Sequence, residues 1–163
     1  MRSAFFPGLS FFCAALLGPC CVLAAAPVAP PAPAGPPISL ELNKLAPLDG
    51  ATGCRAYFVI ANPGAEAIPE LQLDLVLFGT DGIIARRVAV EVGPLPADKT
   101  VVRLFDLAGT KCDAIGHVLL NDVLSCQVAG PAPTAGGTTG DDQRQACLDR
   151  IAVSSRAAAP LTK

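Results

Sequence analysis

Between Leu71 and Val92 the chain alternates in a way that few folds accommodate. Leu71, Leu73, Leu75 and Leu77 interleave with Gln72, Asp74, Val76 and Phe78, so one side is purely aliphatic and the other mixed. That period of two belongs to a half-buried β-strand. Asp81-Gly82 then supplies a positive-φ turn, and a β-branched run from Ile83 to Val92 folds back antiparallel. A two-stranded ribbon is marginal in water, so the leucine side must be covered by more sheet.

The rest of the chain provides that sheet. Ile38, Leu40 and Leu42 alternate with Ser39, Glu41 and Asn43, and Cys54, Ala56, Phe58 and Ile60 alternate with Arg55, Tyr57 and Val59 until Asn62-Pro63-Gly64 stops the run. Lys99–Leu107 reads as a fifth strand whose facing is ambiguous, because Val101 and Phe105 share a side with Arg103. Val118–Leu124 reads as a sixth and Ile151–Ser155 as a seventh, ended by Ala157-Ala158-Ala159-Pro160; a helical turn fits between Asp113 and Gly116. Residues 127–146 are rich in Gly, Pro, Thr and Asp and are expected to form a flexible loop. Short strands at near-regular spacing with Gly/Pro turns and no sustained helical period predict an all-β fold. Its expected form is an antiparallel two-sheet sandwich of about seven strands, immunoglobulin-like in plan, spanning residues 38–159.

Upstream, Met1-Arg2, an apolar run from Ala4 to Leu23 and the small residues Ala24-Ala25-Ala26 have the layout of a Sec-type secretory signal peptide over residues 1–24. Val22 and Ala24 suit the −3 and −1 positions, placing cleavage before Ala25. An uncleaved membrane anchor and a lipid anchor on Cys20 or Cys21 are the alternatives. Pro19 and Cys20 stand where a lipid anchor requires a small residue, and no arginine pair precedes the apolar run. Residues 25–37 are a Pro/Ala-rich, semi-rigid linker. Without the leader, 11 basic and 14 acidic side chains remain, a net charge of −3. That balance disfavours nucleic acid and anionic lipid as partners, and no stable membrane association is expected after cleavage. Arg86-Arg87 is the only adjacent basic pair and reads as a solvated strand edge.

Cys54, Cys112, Cys126 and Cys147 lie beyond the leader, and four cysteines in an exported chain predict two disulfides with three connectivities open. Cys126 and Cys147 flank the expected loop, and Cys54 and Cys112 each stand at a strand start, which favours Cys54–Cys112 with Cys126–Cys147. No C-x-x-C pair exists and His117 is the only histidine, so neither a zinc site nor a redox dithiol is expected, and no cofactor is implied.

Catalytic chemistry has little to build on. Any triad must use His117 with Ser125, Ser154 or Ser155 and with Asp106, Asp113 or Asp122, and no G-x-S-x-G elbow is present. Asp141-Asp142 are paired acids in the expected loop, without the spacing of a calcium loop. Arg55, Arg103 and Arg156 are candidates for ion pairs with Glu41, Asp74 or Asp106. Phe58 shares a face with aliphatic residues and belongs to the core. Tyr57 and Phe78 are the aromatics expected to face outward, and they form the candidate interaction surface.

Several stretches together resemble uncharacterised exported bacterial proteins labelled "Tat pathway signal sequence domain" proteins. They are Ile38–Leu45, Cys54-Arg55 with Phe58 and Asn62, Phe105-Asp106-Leu107, Val118–Val123 and Ser154-Ser155-Arg156. More distantly the domain is similar to immunoglobulin-like accessory modules of exported proteins. The resemblance spans about residues 38–157 and implies no activity. The expected function is therefore that of an exported, non-enzymatic β-sandwich that binds a protein partner or serves the envelope. The alternative is a hydrolase-type enzyme with a scattered site around His117.

Overall fold

The structure, a computed structural model, describes residues 35–50, 52–129 and 140–163. The expected signal peptide, its cleavage site and nearly all of the linker lie outside the described residues. Among these residues are strands β1 (Ile38–Pro47), β2 (Gly53–Asn62), β3 (Glu70–Gly79), β4 (Ile84–Glu91), β5 (Lys99–Ala108), β6 (Ile115–Gln127), β7 (Ile151–Ser155) and β8 (Leu161–Thr162), with a helix α1 (Gly140–Arg150). They form two four-stranded sheets, ordered β5-β2-β1-β7 and β4-β3-β6-β8, that pack as a sandwich.

Alternation decides which side chains meet between the sheets. Ile38, Leu40 and Leu42 of β1 and Cys54, Ala56, Phe58 and Ile60 of β2 face Leu71, Leu73, Leu75 and Leu77 of β3 and Val118, Leu120 and Val123 of β6, all buried in one cluster. Phe58 and Phe105 meet edge-on with ring centroids 5.9 Å apart. The ambiguous facing of β5 resolves accordingly: Val101 and Phe105 pack on the core, and Arg103 turns its guanidinium out to carbonyl oxygens at the rim.

The architecture departs from the expected plan in four places. First, β7 runs parallel to β1 and β8 parallel to β6, so the sandwich has eight strands and is not wholly antiparallel. The chain does not stop at Ala157–Pro160; buried Ala159 and Leu161 continue the core, and Pro160 O accepts the Val118 N–H. Two residues are too few to show periodicity, which is why β8 leaves no mark in the sequence.

Second, the expected loop 127–146 is structured at both ends. Gln127 completes β6, Ala129 N–H donates to Ala67 O, and the helix begins at Gly140. Helix α1 buries only Cys147 and so lacks an apolar stripe. The disulfide to Cys126 anchors it instead, while Asp141 and Asp142 in its first turn and Arg150 in its last suit the helix dipole.

Third, the β3–β4 turn spans three residues. Gly82 alone takes positive φ (78°), and Gly79 and Ile83 close the loop through the Gly79 N–H to Ile83 O bond of 2.8 Å. Asp81 keeps negative φ and accepts the Ile83 N–H on its side chain. Fourth, β6 is longer than expected because Ile115 already packs in the core.

The disulfides are Cys54–Cys112 and Cys126–Cys147. The first ties the start of β2 to the short 3-10 turn Cys112–Ala114, where a helical turn was anticipated; the second ties α1 to the end of β6.

Candidate interaction surface

The outer face of the β5-β2-β1-β7 sheet is set by the register of β2 on β5, which pairs Val59 with Val102, Tyr57 with Leu104 and Arg55 with Asp106. Val102 and Leu104 are 52% and 49% exposed, two of the four large hydrophobic side chains so open among the described residues. Tyr57 is half-buried beside Leu104, with Lys44 Nζ 5.7 Å from its ring centroid. The stripe ends at a bidentate ion pair, Arg55 Nε to Asp106 Oδ1 at 2.6 Å and Nη2 to Oδ2 at 2.9 Å. The guanidinium holds the Asp106 carboxyl below its ordinary range. Exposed pairs of this kind add little stability but fix geometry.

Each sheet has an edge strand on the same side of the sandwich, β4 in one and β5 in the other. Two arginines lace these edges together. Arg86 Nη1 donates to Ala108 O at 2.8 Å, and Arg103 donates to Val92 O at 3.0 Å and Pro94 O at 2.9 Å. The groove between the strands is lined by Arg55, Arg86, Ala89, Leu104, Phe105 and Asp106. β4 carries Arg86 and Arg87 near its centre and exposed Ile84 at its start, and β5 carries Arg103 between exposed Val102 and Leu104.

On the outer face of the other sheet, Asp74 is 2% exposed. It accepts from Arg87 Nε at 2.6 Å and from Asn121 Nδ2 at 2.6 Å. Arg87 foremost, with Asn121, holds its carboxyl below the ordinary range against the opposing effect of burial. The Arg86-Arg87 pair is therefore not simply a solvated edge: one member neutralises a buried acid and the other caps a carbonyl. Of the ion pairs anticipated for Arg55, Arg103 and Arg156, Arg55–Asp106 and Arg156–Glu41 form; Asp74 takes Arg87 instead.

Phe78 lies on this second face, stacked on His117 with centroids 5.2 Å apart. Tyr57 and Phe78 thus sit on different sheets and do not form one patch. His117 Nε2 is 2.7 Å from Thr162 Oγ1, a partner that no spacing or motif selects. None of the candidate nucleophiles hydrogen-bonds to it: Ser155 Oγ serves the carbonyls of Leu42, Ala157 and Ala159. Asp141 and Asp142 stand in the first turn of α1, Asp141 paired with Arg144. Among the described residues no group of three His, Cys, Asp or Glu side chains is placed to hold a metal ion, and no helix is long and apolar enough to cross a membrane. The two disulfides are those of a chain that matures in an oxidising compartment.

No family model, curated protein or solved structure matches the chain.

Sequence reasoning missed one residue that organises this end of the molecule. Asn62 is 1% exposed, and its Nδ2 donates to Glu66 O at 2.8 Å, Pro96 O at 3.2 Å and Leu95 O at 3.4 Å while Oδ1 accepts the Gly64 N–H. It looked like a turn signal only. Its position at the end of the inward-facing series Cys54, Ala56, Phe58, Ile60 was the available clue that it is buried.

Proposed function

We propose that this chain is an exported, non-enzymatic accessory module of immunoglobulin-like plan, related to the exported bacterial proteins it resembles, and that it works by binding protein. The leader-like residues 1–24 and the two disulfides support export to the periplasm or beyond. The partner is an extended segment with alternating apolar residues that adds as a strand along β5 and lays those residues over Val102 and Leu104.

The observation that carries this reading is the apolar stripe on the outer face of the β5-β2 pair. Natural sheets blunt free edges with charge. Both edges carry charge, Arg86 and Arg87 on β4 and Arg103 and Asp106 on β5, and Ile84 is exposed at the start of β4; β5 alone sets two exposed large apolar side chains two residues apart, Val102 and Leu104, side by side with Val59 and Tyr57. The test is photo-crosslinking in the cell envelope from Thr100 or Asp106, with Val102→Lys/Leu104→Lys as comparison. The expected result is a discrete adduct that the double variant loses while keeping its circular-dichroism spectrum. An adduct that persists unchanged in the folded double variant overturns the proposal.

A further inference from the structure

Arg150, the last residue of α1, holds a guanidinium that its surroundings leave almost unsatisfied. Among the described residues its Nε is buried without any hydrogen-bond partner, and its one bond is a long one, Nη2 to Pro36 O at 3.5 Å. It forms no ion pair among the described residues, unlike Arg55, Arg87, Arg144 and Arg156. Nor does it cap its own helix: Lys163 Nζ takes that role, donating to Leu148 O at 2.9 Å and Ile151 O at 2.7 Å.

The guanidinium forms one wall of a cleft whose other walls are Gly35, Pro36, Gly64, Ala65 and Glu66. Glycines stand where the guanidinium comes closest. A Cβ on Gly35 would lie 3.3 Å from Nη2 and one on Gly64 3.7 Å from it, so larger residues would crowd the charged end of the cleft. Burying the Nε N–H without a partner is costly, and the Nη groups at the mouth of the cleft are open to an incoming oxygen acceptor. A guanidinium edge matches a planar carboxylate with two parallel hydrogen bonds.

We propose that this cleft is a carboxylate-binding site, with Arg150 as its anchor and Glu66 as a gate that disfavours more highly charged anions. A singly charged carboxylate, such as a peptide C-terminus or an acidic side chain, fits the guanidinium; a phosphate brings a second charge towards Glu66. The site is distinct from the β5 stripe and does not depend on it.

The test uses the purified protein and two probes, acetate and inorganic phosphate, at constant ionic strength. The readout is the Arg150 Nε–H and Gly64 amide resonances. Acetate is expected to shift them saturably, phosphate to bind several-fold more weakly, and Arg150→Gln to lose the response at least tenfold. Glu66→Gln leaves the anchor in place and is expected to tighten phosphate several-fold. Shifts that grow linearly without saturation, or that survive in Arg150→Gln, overturn the site. Phosphate binding tighter than acetate overturns the carboxylate assignment. If Arg150→Gln fails to fold, the Glu66→Gln arm decides: unchanged phosphate affinity refutes the arrangement.

Discussion

Replacing Asn62 separates a buried structural amide from a mere turn residue. In Asn62→Ala three groups lose their partner: the Gly64 N–H, Glu66 O and Pro96 O, whereas Leu95 O keeps the Ile68 N–H at 2.9 Å. The Gly64 N–H is buried, and stranding such a donor costs about 1–3 kcal/mol. The two carbonyls are partly reached by water and add less, so about 2–4 kcal/mol in all is expected, a large share of the stability of a small domain. Asn62→Asp is the sharper perturbation. A carboxylate has no N–H to give the carbonyl oxygens it would face, and burial with that repulsion raises its pKa above the ordinary value of about 3.9. The folded state then binds the proton more tightly than the unfolded state, so stability falls as pH rises from about 4 to the raised folded value. Urea unfolding followed by far-ultraviolet circular dichroism between pH 3 and 7 measures both effects. A loss below about 1 kcal/mol for Asn62→Ala, or a flat pH profile for Asn62→Asp relative to wild type, refutes the assigned hydrogen bonds.

The remaining predictions concern the bridges, the buried acid, the tight strand crossing and the core. Replacing both cysteines of Cys54–Cys112 by alanine is expected to cost about 4 kcal/mol and of Cys126–Cys147 about 3 kcal/mol, from loop separations of 58 and 21 residues; urea midpoints in the opposite order refute the loop-length account. The Asp74 carboxyl is held low in the folded state, so its contribution is present above about pH 4 and lost as pH falls through the folded value. Arg87→Leu removes the main partner, so stability should fall near pH 7 and the loss on acidification assignable to Asp74 should shrink, as urea unfolding at pH 7 and pH 3 will show. Gly116→Ala places a Cβ 2.5 Å from Gly79 O and must move backbone, so the thermal midpoint should drop by several degrees, unlike Gly140→Ser, whose Cβ meets nothing within 4 Å. Leu75→Ala, which empties a buried position on the leucine face, is expected to cost about 2–5 kcal/mol in urea.

What was legible in the sequence is what depends on alternation. The leucines of β3 and the inward series of β1 and β2 cover most of the core, and burial of one face is a property of each strand taken alone. The disulfide pairing was legible for a related reason, since both bridges join segments that strand order brings to one end. Asp74 shows the limit of the same logic. Alternation assigns it to the outer, mixed face, and it does lie there, but β4 and β6 flank it and Arg87 and Asn121 close over it. Burial of that kind comes from neighbours far away in sequence. Helix α1 was illegible because a disulfide supplies the anchoring that an apolar stripe normally provides, and β8 because its pairing is decided by Leu161 and the space left beside β6.

The residues that carry the resemblance to exported bacterial proteins turn out to have bonds to make within the fold. Arg55 and Asp106 pair across β2 and β5, and Asn62 joins two loops. Ser155 satisfies carbonyls at the end of β7, and Arg156 reaches Glu41 on β1. Each closes a polar group or a strand crossing that the sandwich would otherwise leave open. The proposed binding rests instead on Val102 and Leu104, which stand outside the core, and on Arg150, whose Nε lacks a partner among the described residues. Substitutions at these bonded residues are expected to act through stability, and substitutions at Val102, Leu104 and Arg150 through the proposed binding with stability unchanged.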